Sequence, residues 1–343
     1  MSLLRQIWQL PKTGDISRLQ LAGDDLSEPD AGCVTVRVAA VGLNFADVFA
    51  CLGLYSATPS GAFVPGLEFA GVVDAVGPSV DGLAVGQPVM GLTRFGAYAT
   101  HLNVDARYLW PLPDGWSMAE GAGQLVTSLT AWYALRELGG LRPGQFVLVQ
   151  SAAGGVGLAA LGLIDRLRGE AAGTVGQAAK AEVTGLPPER VIVRDGIAFE
   201  QRLDKALASA GRDGFDLVLD AVAGPTFQPL YRRLLPGGRL VIFGAADLMP
   251  SGQRPNYAKL GWQYWRRPKL DPVSMISENK SVMAFNLIWL WDRADEMRRL
   301  YDELSALEVP PPHIGRVMPF NDATAALRYL QSGDSVGKVI MEL

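Results

Sequence analysis

One glycine-rich turn between a buried strand and a helix constrains this fold more than any other feature of the chain. The apolar run FVLVQ (146–150) predicts a strand, and the apolar spacing of residues 156–168 predicts the helix that follows. Between them lies SAAGGVG (151–157), whose glycines would let the backbone approach a pyrophosphate at a helix N-terminus. This context favours a dinucleotide-binding turn, and a purely structural turn is the alternative.

Strands and helices alternate after this turn. Further apolar strands are predicted near 171–175, 190–194, 216–222 and 239–245, and helices near 177–183, 198–210 and 226–235. Residues 127–138, ahead of the turn, also have a helical pattern. Such alternation is typical of a doubly wound parallel sheet with helices on both faces.

The first third of the chain has a different pattern. Residues 32–42, 68–77 and 87–92 form short strand-like runs punctuated by glycine and proline, which predicts an antiparallel, barrel-like domain. After residue 246 the alternation stops, and an amphipathic helix is predicted at 292–307 before a short strand in GKVIMEL (337–343). The sequence therefore predicts an α/β fold of two domains, as a length of 343 residues also suggests.

The second predicted strand indicates which dinucleotide would bind. An acid about 20 residues beyond the glycines would accept hydrogen bonds from an adenosine ribose 2′-OH, but the strand ends at Gly176 without one. Two cations follow instead, Lys180 and Arg194, and they suit a dianionic 2′-phosphate. We therefore predict NADPH rather than NADH, with a solvated surface lysine as the alternative for Lys180.

Composition excludes several other classes of protein. The net charge is −4 and the basic residues are spread along the chain, whereas nucleic-acid and anionic-membrane surfaces require clustered positive charge. No apolar run approaches 18 residues and the first residues lack the apolar core of a signal peptide, so no membrane span is expected and the cytoplasm is the predicted compartment.

The few cysteines and histidines argue against a metal site. Cys33 and Cys51 lack a metal-binding spacing and are interpreted as small buried apolar groups. The only histidines, His101 and His313, are distant in sequence, so zinc would need ligands from scattered segments. We expect no metal.

A series of segments spans nearly the whole chain in the order of one known family: GLNFADV (42–48), GLY (53–55), PGLEFAGVV (65–73), LTAWYAL (129–135), AAGGVG (152–157), GTVGQAAKA (173–181), LDAVAG (219–224), LLPGGRLVIFGAA (234–246) and SVGKVI (335–340). By these segments the chain resembles the zinc-free quinone oxidoreductase group of the medium-chain dehydrogenase/reductase superfamily, and within that group it resembles the vesicle amine transport protein subgroup. The subgroup likeness rests on residues 262–291 and on PHIGRVMPF.

The resemblance implies a GroES-like β-barrel catalytic domain (1–126 and 285–343) and a Rossmann-type cofactor domain (127–284). It implies that Leu67 stands where zinc-dependent relatives have a histidine ligand, so a metal would not activate an alcohol. A conjugated carbonyl needs no such activation, so the implied substrate is a quinone or another enone. The alternatives are an NADPH-binding protein with little or no catalysis and an enoyl-thioester reductase.

The resemblance also implies the site residues. Asn44 and Tyr55 would lie beside the nicotinamide. Asn44 would hold the substrate oxygen or the nicotinamide ribose, or merely cap the helix that starts at Phe45. Tyr55 would stack near the nicotinamide ring, donate a proton or simply pack against its neighbours. Asp47 is interpreted as structural. The remaining predicted cofactor contacts are Thr130, Ala153, Gly154, Gly155, Val156, Gly157, Gly224, Phe243, Gly244, Ala245, Ala246, Phe285, Asn286 and Leu287.

Two surface features complete the predictions. Strand Leu240–Ala245 is predicted to end the parallel sheet, and pairing of two such edges would form a homodimer. The basic, aromatic segment 259–269 (KLGWQYWRRPK) is predicted to be a lid or rim over the substrate cleft, with a membrane or partner surface and a dimer-edge element as alternatives.

Overall fold

A mostly antiparallel sheet and two helices form the first structural unit of the computed structural model, which describes residues 2–194, 198–250 and 252–343. The elements are β1 (Leu3–Gln9), β2 (Gln20–Leu26), β3 (Cys33–Gly42), α1 (Phe45–Cys51), β4 (Glu68–Val76), β5 (Pro88–Leu92), β6 (His101–Asp105), β7 (Leu109–Pro111) and α2 (Met118–Trp132). Strands predicted at 32–42, 68–77 and 87–92 are confirmed as β3, β4 and β5.

The second unit alternates strands and helices. Its elements are β8 (Phe146–Val149), α3 (Gly155–Arg166), β9 (Glu170–Val175), β10 (Val191–Val193), α4 (Phe199–Ser209), β11 (Phe215–Asp220), α5 (Phe227–Arg232), β12 (Leu234–Ile242), α6 (Tyr257–Trp265), α7 (Pro272–Glu278) and β13 (Ser281–Ala284). The strands pair in parallel in the order β10-β9-β8-β11-β12-β13. This order reverses between β8 and β11, which opens a crevice at their carboxyl ends.

The chain then returns to the first sheet. Helix α8 (Ala294–Ser305) leads to β14 (Ile314–Pro319), α9 (Ala323–Ser332) and β15 (Lys338–Glu342). The larger sheet has the order β14-β15-β3-β4-β5-β7, with β6 paired to β3. The predicted α/β fold with a doubly wound parallel sheet is confirmed, as are the amphipathic helix and the last strand.

The structure differs from the predictions at four points. The helix predicted at 127–138 begins at Met118, because Ser117 and Glu120 form a capping box, and it continues as a π-helical turn at Tyr133–Leu138. The helix predicted at 177–183 is two 3₁₀ turns that stop at Gly185, whose backbone is left-handed. The strand predicted at 239–245 is β12, which begins earlier and ends at Ile242.

The fourth difference concerns the edge of the parallel sheet. Strand β13 pairs along β12, from Arg239 opposite Ser281 to Ile242 opposite Ala284. The prediction that Leu240–Ala245 ends the sheet is therefore wrong, because β12 has neighbours on both sides. Strand β13 has only four residues, two exposed and two half-buried, and it continues into the apolar residues that follow, so the sequence does not mark its limits.

Helix α2 occupies the centre of the molecule and packs against β3, β4 and β5 on one side and α3 on the other. Leu125 and Leu129 on this helix are fully buried, and burial of such a side chain stabilises a fold by about 1.5–3 kcal/mol. The helix also spans the predicted domain boundary at residues 126 and 127. In the described part of the chain, no helix has both the length and the apolar character needed to cross a membrane.

Close approach of α2 to β3 requires a glycine at position 42. A Cβ atom there would lie 2.1 Å from the Ala122 carbonyl oxygen, in rigid helix backbone. We expect Gly42→Ala to lower the free energy of unfolding by roughly 1–3 kcal/mol or more. Urea unfolding tests this, with Gly23→Ala as the matched control because its nearest neighbour lies 4.0 Å away. Equal stability of the two variants would refute the packing argument.

Candidate active site

A cavity of about 1360 Å³ runs along the carboxyl ends of β8, β9, β12 and β13, between the parallel sheet and the first structural unit. It brings together all but one of the predicted site residues. Those lining it are Asn44, Tyr55, Thr130, Ala153, Gly154, Gly155, Val156, Gly157, Gly176, Lys180, Arg194, Phe243, Gly244, Ala245, Ala246, Phe285, Asn286 and Leu287. Gly224 is the exception: a Cβ there would lie 2.4 Å from the Asp247 side chain, so it packs beneath Asp247 instead.

The glycine-rich turn connects β8 to α3 along the floor of this cavity. Ser151 has a positive φ of 54°, which reverses the chain, and Gly154 is the N-cap residue of α3. A Cβ on Gly157 would lie 2.4 Å from the Ser151 carbonyl oxygen, so only glycine permits this turn. The first N–H groups of α3 lack helical acceptors and suit an anionic group.

Residues 333–338, which we name the clip, fasten this turn to the rest of the site. The Gly337 N–H donates to the Ala153 carbonyl at 2.8 Å, and Gly154 forms a β-bridge with Gly337. Sequence reasoning placed the clip within a family motif but gave it no role in the cleft.

Lys180 and Arg194 stand at one end of the cavity. Lys180 Nζ donates to the clip carbonyls of Gly333 and of Ser335, the latter at 2.8 Å. Arg194 Nη1 donates to Ser151 Oγ at 3.1 Å and Thr174 Oγ1 at 2.9 Å. Burial lowers the pKa of both side chains, because desolvation disfavours the charged form. Within the described ranges neither cation has a carboxylate partner in an ion pair, so this end of the cleft suits an anion.

A buried ion pair lies at the opposite end. Lys338 Nζ donates to Glu68 Oε1 at 2.6 Å, and the two side chains are 3% and 0% exposed. The same ammonium donates to the Leu43 carbonyl at 2.8 Å and to Asn44 Oδ1 at 3.0 Å. The remaining carboxylate oxygen, Glu68 Oε2, accepts the Val126 N–H of α2 at 2.9 Å. Sequence reasoning missed both charged residues.

Asn44 is fixed by this pair. Its Nδ2 donates to Glu68 Oε1 at 3.0 Å and to the Gly42 carbonyl at 3.2 Å, which uses both amide hydrogens. Its Oδ1 accepts from Lys338 and retains one lone pair. Asn44 is also the N-cap residue of α1, and its backbone N–H donates to Asp47 Oδ2 at 2.8 Å. The side chain can therefore accept a further hydrogen bond but cannot donate one to a substrate oxygen.

Asp47 is fully buried, outside the cavity lining. Desolvation raises its pKa to about 7. Its Oδ2 accepts the Asn44 N–H and, at 3.4 Å, the Tyr98 hydroxyl. These contacts anchor the start of α1 to the first structural unit and agree with the structural interpretation of Asp47.

Tyr55 and Asn286 meet across the cleft. The Tyr55 hydroxyl donates to Asn286 Oδ1 at 2.9 Å, joining the loop after α1 to the carboxyl end of β13. Burial raises the pKa of Tyr55 to about 12, so the hydroxyl keeps its proton. Phe285, next to Asn286, packs against Tyr133 and Phe243 with ring centroids 4.8 and 6.2 Å apart.

By the resemblance described above, Leu67 occupies the position at which zinc-dependent relatives have a histidine ligand. It is buried and packs with Ala57 and Ile288. Throughout residues 2–194, 198–250 and 252–343, no three His, Cys, Asp or Glu side chains cluster as metal ligands would. The donor set around this position is therefore unsuited to zinc.

The basic, aromatic segment 259–269 forms most of α6 and the turn after it. Leu260, Gly261 and Tyr264 line the cavity, whereas Trp262 and Trp265 are 58% and 68% exposed. Helix α6 therefore bounds the cleft, in agreement with the predicted rim, and its aromatic residues are divided: Tyr264 lines the cavity, whereas Trp262 and Trp265 face solvent.

Two families match parts of the chain: the alcohol dehydrogenase GroES-like domain at residues 30–114 and zinc-binding dehydrogenase at residues 195–341. The synaptic vesicle membrane protein VAT-1 homolog of Rattus norvegicus is 33% identical over 316 residues, covering 91% of this chain and 77% of the relative.

Solved structures match the whole chain. Mycobacterial Rv1454c complexed with NADPH is 26% identical with a TM-score of 0.84, covering 99% of this chain and 100% of that one. The CurK enoyl reductase is 27% identical with a TM-score of 0.82, covering 98% and 99%. Quinone oxidoreductase structures are also among the matches. The chain belongs to the medium-chain dehydrogenase/reductase superfamily, in the quinone oxidoreductase-like group that includes the VAT-1 homologs.

Proposed function

We propose that this protein is a zinc-independent, NADPH-dependent oxidoreductase that reduces a quinone or another conjugated enone. One observation carries the proposal: a single cavity joins a glycine-rich turn and two cations without carboxylate partners, within the described ranges, to an apolar end without metal ligands. NADPH would supply a hydride from its nicotinamide ring. Rv1454c, a relative of the same fold, has this cofactor in its crystal structure.

The residues of the cleft fit NADPH along its length. Gly157 allows α3 to start directly against the backbone of Ser151 and Ala152, and the first N–H groups of that helix would then bind the pyrophosphate. Lys180 has three N–H groups and uses two on clip carbonyls, so one is available for a 2′-phosphate. Arg194 uses Nη1 in two hydrogen bonds, and its Nε and Nη2 have no hydrogen-bond partner among the described residues. We assign Asn44 Oδ1 to a hydroxyl of the nicotinamide ribose, because that atom can accept but the side chain cannot donate.

The other end of the cavity would hold the acceptor. Its apolar lining comes from Phe45, Phe49, Leu54, Leu67, Leu92, Ile288 and Trp291. Such a lining excludes water and favours a flat, poorly hydrated carbonyl compound. An enoyl thioester remains the second candidate, since the CurK enoyl reductase shares the fold and the conjugated carbonyl chemistry.

The domain limits, the class of binding partner and the cellular compartment stay predictions. We retain the catalytic domain at 1–126 and 285–343, the cofactor domain at 127–284, and a small molecule rather than nucleic acid as the binding partner. The cytoplasm stays the predicted compartment, although the VAT-1 relatives are named vesicle membrane proteins.

Activity and metal content test the proposal together. Purified protein should oxidise NADPH in the presence of quinones or enones. The loss of NADPH absorbance measures this activity. It should contain no stoichiometric zinc and should keep its activity after dialysis against a chelator, because Leu67 offers no ligand. One zinc per chain whose removal abolishes turnover would overturn zinc independence. Tight NADPH binding without reduction of any acceptor, enoyl thioesters included, would favour the binding protein.

Cofactor preference tests the cationic end. Charge-assisted hydrogen bonds contribute roughly 1.5–3 kcal/mol each, so NADPH should bind at least about tenfold tighter than NADH. Lys180→Ala should weaken NADPH binding and leave NADH binding nearly unchanged, because only NADPH carries the 2′-phosphate. Fluorescence titration measures both, with Lys205→Ala on the exposed side of α4 as the matched control. Equal affinity of the wild type for both cofactors would refute the assignment.

Assembly forms a separate proposal. Strand β13 has β12 on one side and an open edge on the other, and the nearby helices expose Trp262, Trp265 and Ile276. Pairing two copies about a two-fold axis would cover both features. Light scattering at micromolar concentration should therefore give the mass of a dimer. A monomer mass that persists as concentration rises would contradict this.

A further inference from the structure

Most hydrogen-bond donors at the apolar end of the cleft are already committed. Lys338 uses three N–H groups and Asn44 uses two, as described above. Thr93 Oγ1 donates to the Phe95 carbonyl at 2.6 Å, and Thr127 Oγ1 donates to the Gly123 carbonyl at 2.9 Å. These four side chains surround the pocket without offering a donor to a ligand.

Asn286 differs from them. Its Oδ1 accepts the Tyr55 hydroxyl at 2.9 Å, while its Nδ2 has no hydrogen-bond partner among the described residues. Asn286 lines the cavity and is half-buried, so these two N–H groups border the pocket. Of the other hydroxyls at this end of the cavity, Ser56 is exposed, and Thr130 on α2 has no side-chain hydrogen bond among the described residues, so nothing fixes the direction of its proton.

The backbone around Asn286 is fixed on both sides. The preceding Phe285 N–H donates to the Ile242 carbonyl at 3.0 Å, and the Asn286 carbonyl accepts the Trp289 N–H at 3.1 Å. Tyr55 fixes the side chain in turn, because its hydroxyl donates to the amide oxygen at 2.9 Å. The amide nitrogen is thereby held on the other side, before any ligand arrives.

We infer that the Asn286 side-chain amide is a catalytic hydrogen-bond donor to the carbonyl oxygen of the acceptor, and that Tyr55 is the residue that positions it. This inference deepens the proposed function and rests on it for the chemistry. Addition of a hydride to the conjugated carbon forms a C–H bond, moves the π electrons and leaves a negative charge on the oxygen. NADPH is the reductant and becomes NADP⁺, and a proton from water neutralises the oxygen. A fixed donor favours that charge most in the transition state.

Binding of a phenolate tests the donor without turnover. The probe is 4-nitrophenolate, whose oxygen resembles that of the reduced product, titrated by absorbance into protein saturated with NADP⁺. Asn286→Asp still accepts the Tyr55 hydroxyl but removes the amide hydrogens, and Asn286→Leu removes both functions at similar volume. Each should weaken phenolate binding by about tenfold or more. Asn321→Asp, on the exposed turn before α9, controls for the added charge and should bind as the wild type does.

Steady-state kinetics then separate catalysis from structure. Both Asn286 variants should lower kcat by roughly 100-fold, with the melting temperature unchanged. Tyr55→Phe should lower kcat by a smaller factor at unchanged KM, since the amide is present but less constrained. A kcat and a phenolate affinity for Asn286→Leu equal to those of the wild type would overturn the inference. A wild type that oxidises no NADPH, with the phenolate difference intact, would overturn the proposed function and leave the donor assignment standing.

Discussion

The ion pair between Lys338 and Glu68 is the contact on which the organisation of the cleft depends. Two charges in a dry interior are stable only when every donor and acceptor is satisfied. Here all three ammonium hydrogens are used, and the two carboxylate oxygens accept from Lys338, Asn44 and the Val126 N–H. The pair therefore ties β15 to β4, to the middle of α2 and to the residue that begins α1. Each of these elements supplies part of the cavity wall.

The same pair explains how one end of the cleft remains neutral while the other is cationic. Lys338 and Glu68 cancel each other, so the apolar pocket beside them has no net charge from this source. At the other end, Lys180 and Arg194 are desolvated, and both have lowered pKa values for that reason. A dianion bound there would offset the cost of desolvating these two charges, whereas an uncharged ribose would not. This asymmetry would orient a long, charged cofactor by electrostatics alone, before its nicotinamide ring makes any specific contact.

Sequence reasoning predicted those parts of the fold and of the site that depend on local sequence pattern. Strands such as β8 and β11 are buried on both faces of a parallel sheet and therefore appear as uninterrupted apolar runs. The glycine-rich turn and the two cations were found by their spacing from those strands. Strand β13 was missed because it has only four residues and merges with the apolar residues that follow it. Helices α6 and α7 were missed because their caps, Asn256 and Asp271, lie in a segment rich in proline and arginine.

The buried charges could not be predicted for a different reason. Lys338 and Glu68 are 270 positions apart, and a lysine or glutamate is almost never fully buried unless it is paired. Nothing local marks such a pair, so only the folded chain reveals it. The buried pair also limits the role of Asn44. From sequence, three roles were possible: a hydrogen bond to the substrate oxygen, a hydrogen bond to the nicotinamide ribose, and a cap for α1. Counting the amide hydrogens removes the substrate oxygen, because Glu68 and Gly42 already accept them.

The clip connects the two ends of the cleft through six consecutive residues. Its carbonyls at Gly333 and Ser335 accept from Lys180, its Gly337 N–H fastens the glycine-rich turn at Ala153, and its last residue, Lys338, holds Asn44. A cofactor bound along the cleft would thus meet groups aligned by one short piece of backbone at its phosphate, its pyrophosphate and its nicotinamide ribose. Because a backbone segment of that length cannot stretch, the separation between the cationic end and Asn44 is set by the fold rather than by the ligand. Preorganisation of this kind lowers the entropy lost on binding and leaves more of the interaction energy for positioning the reacting groups.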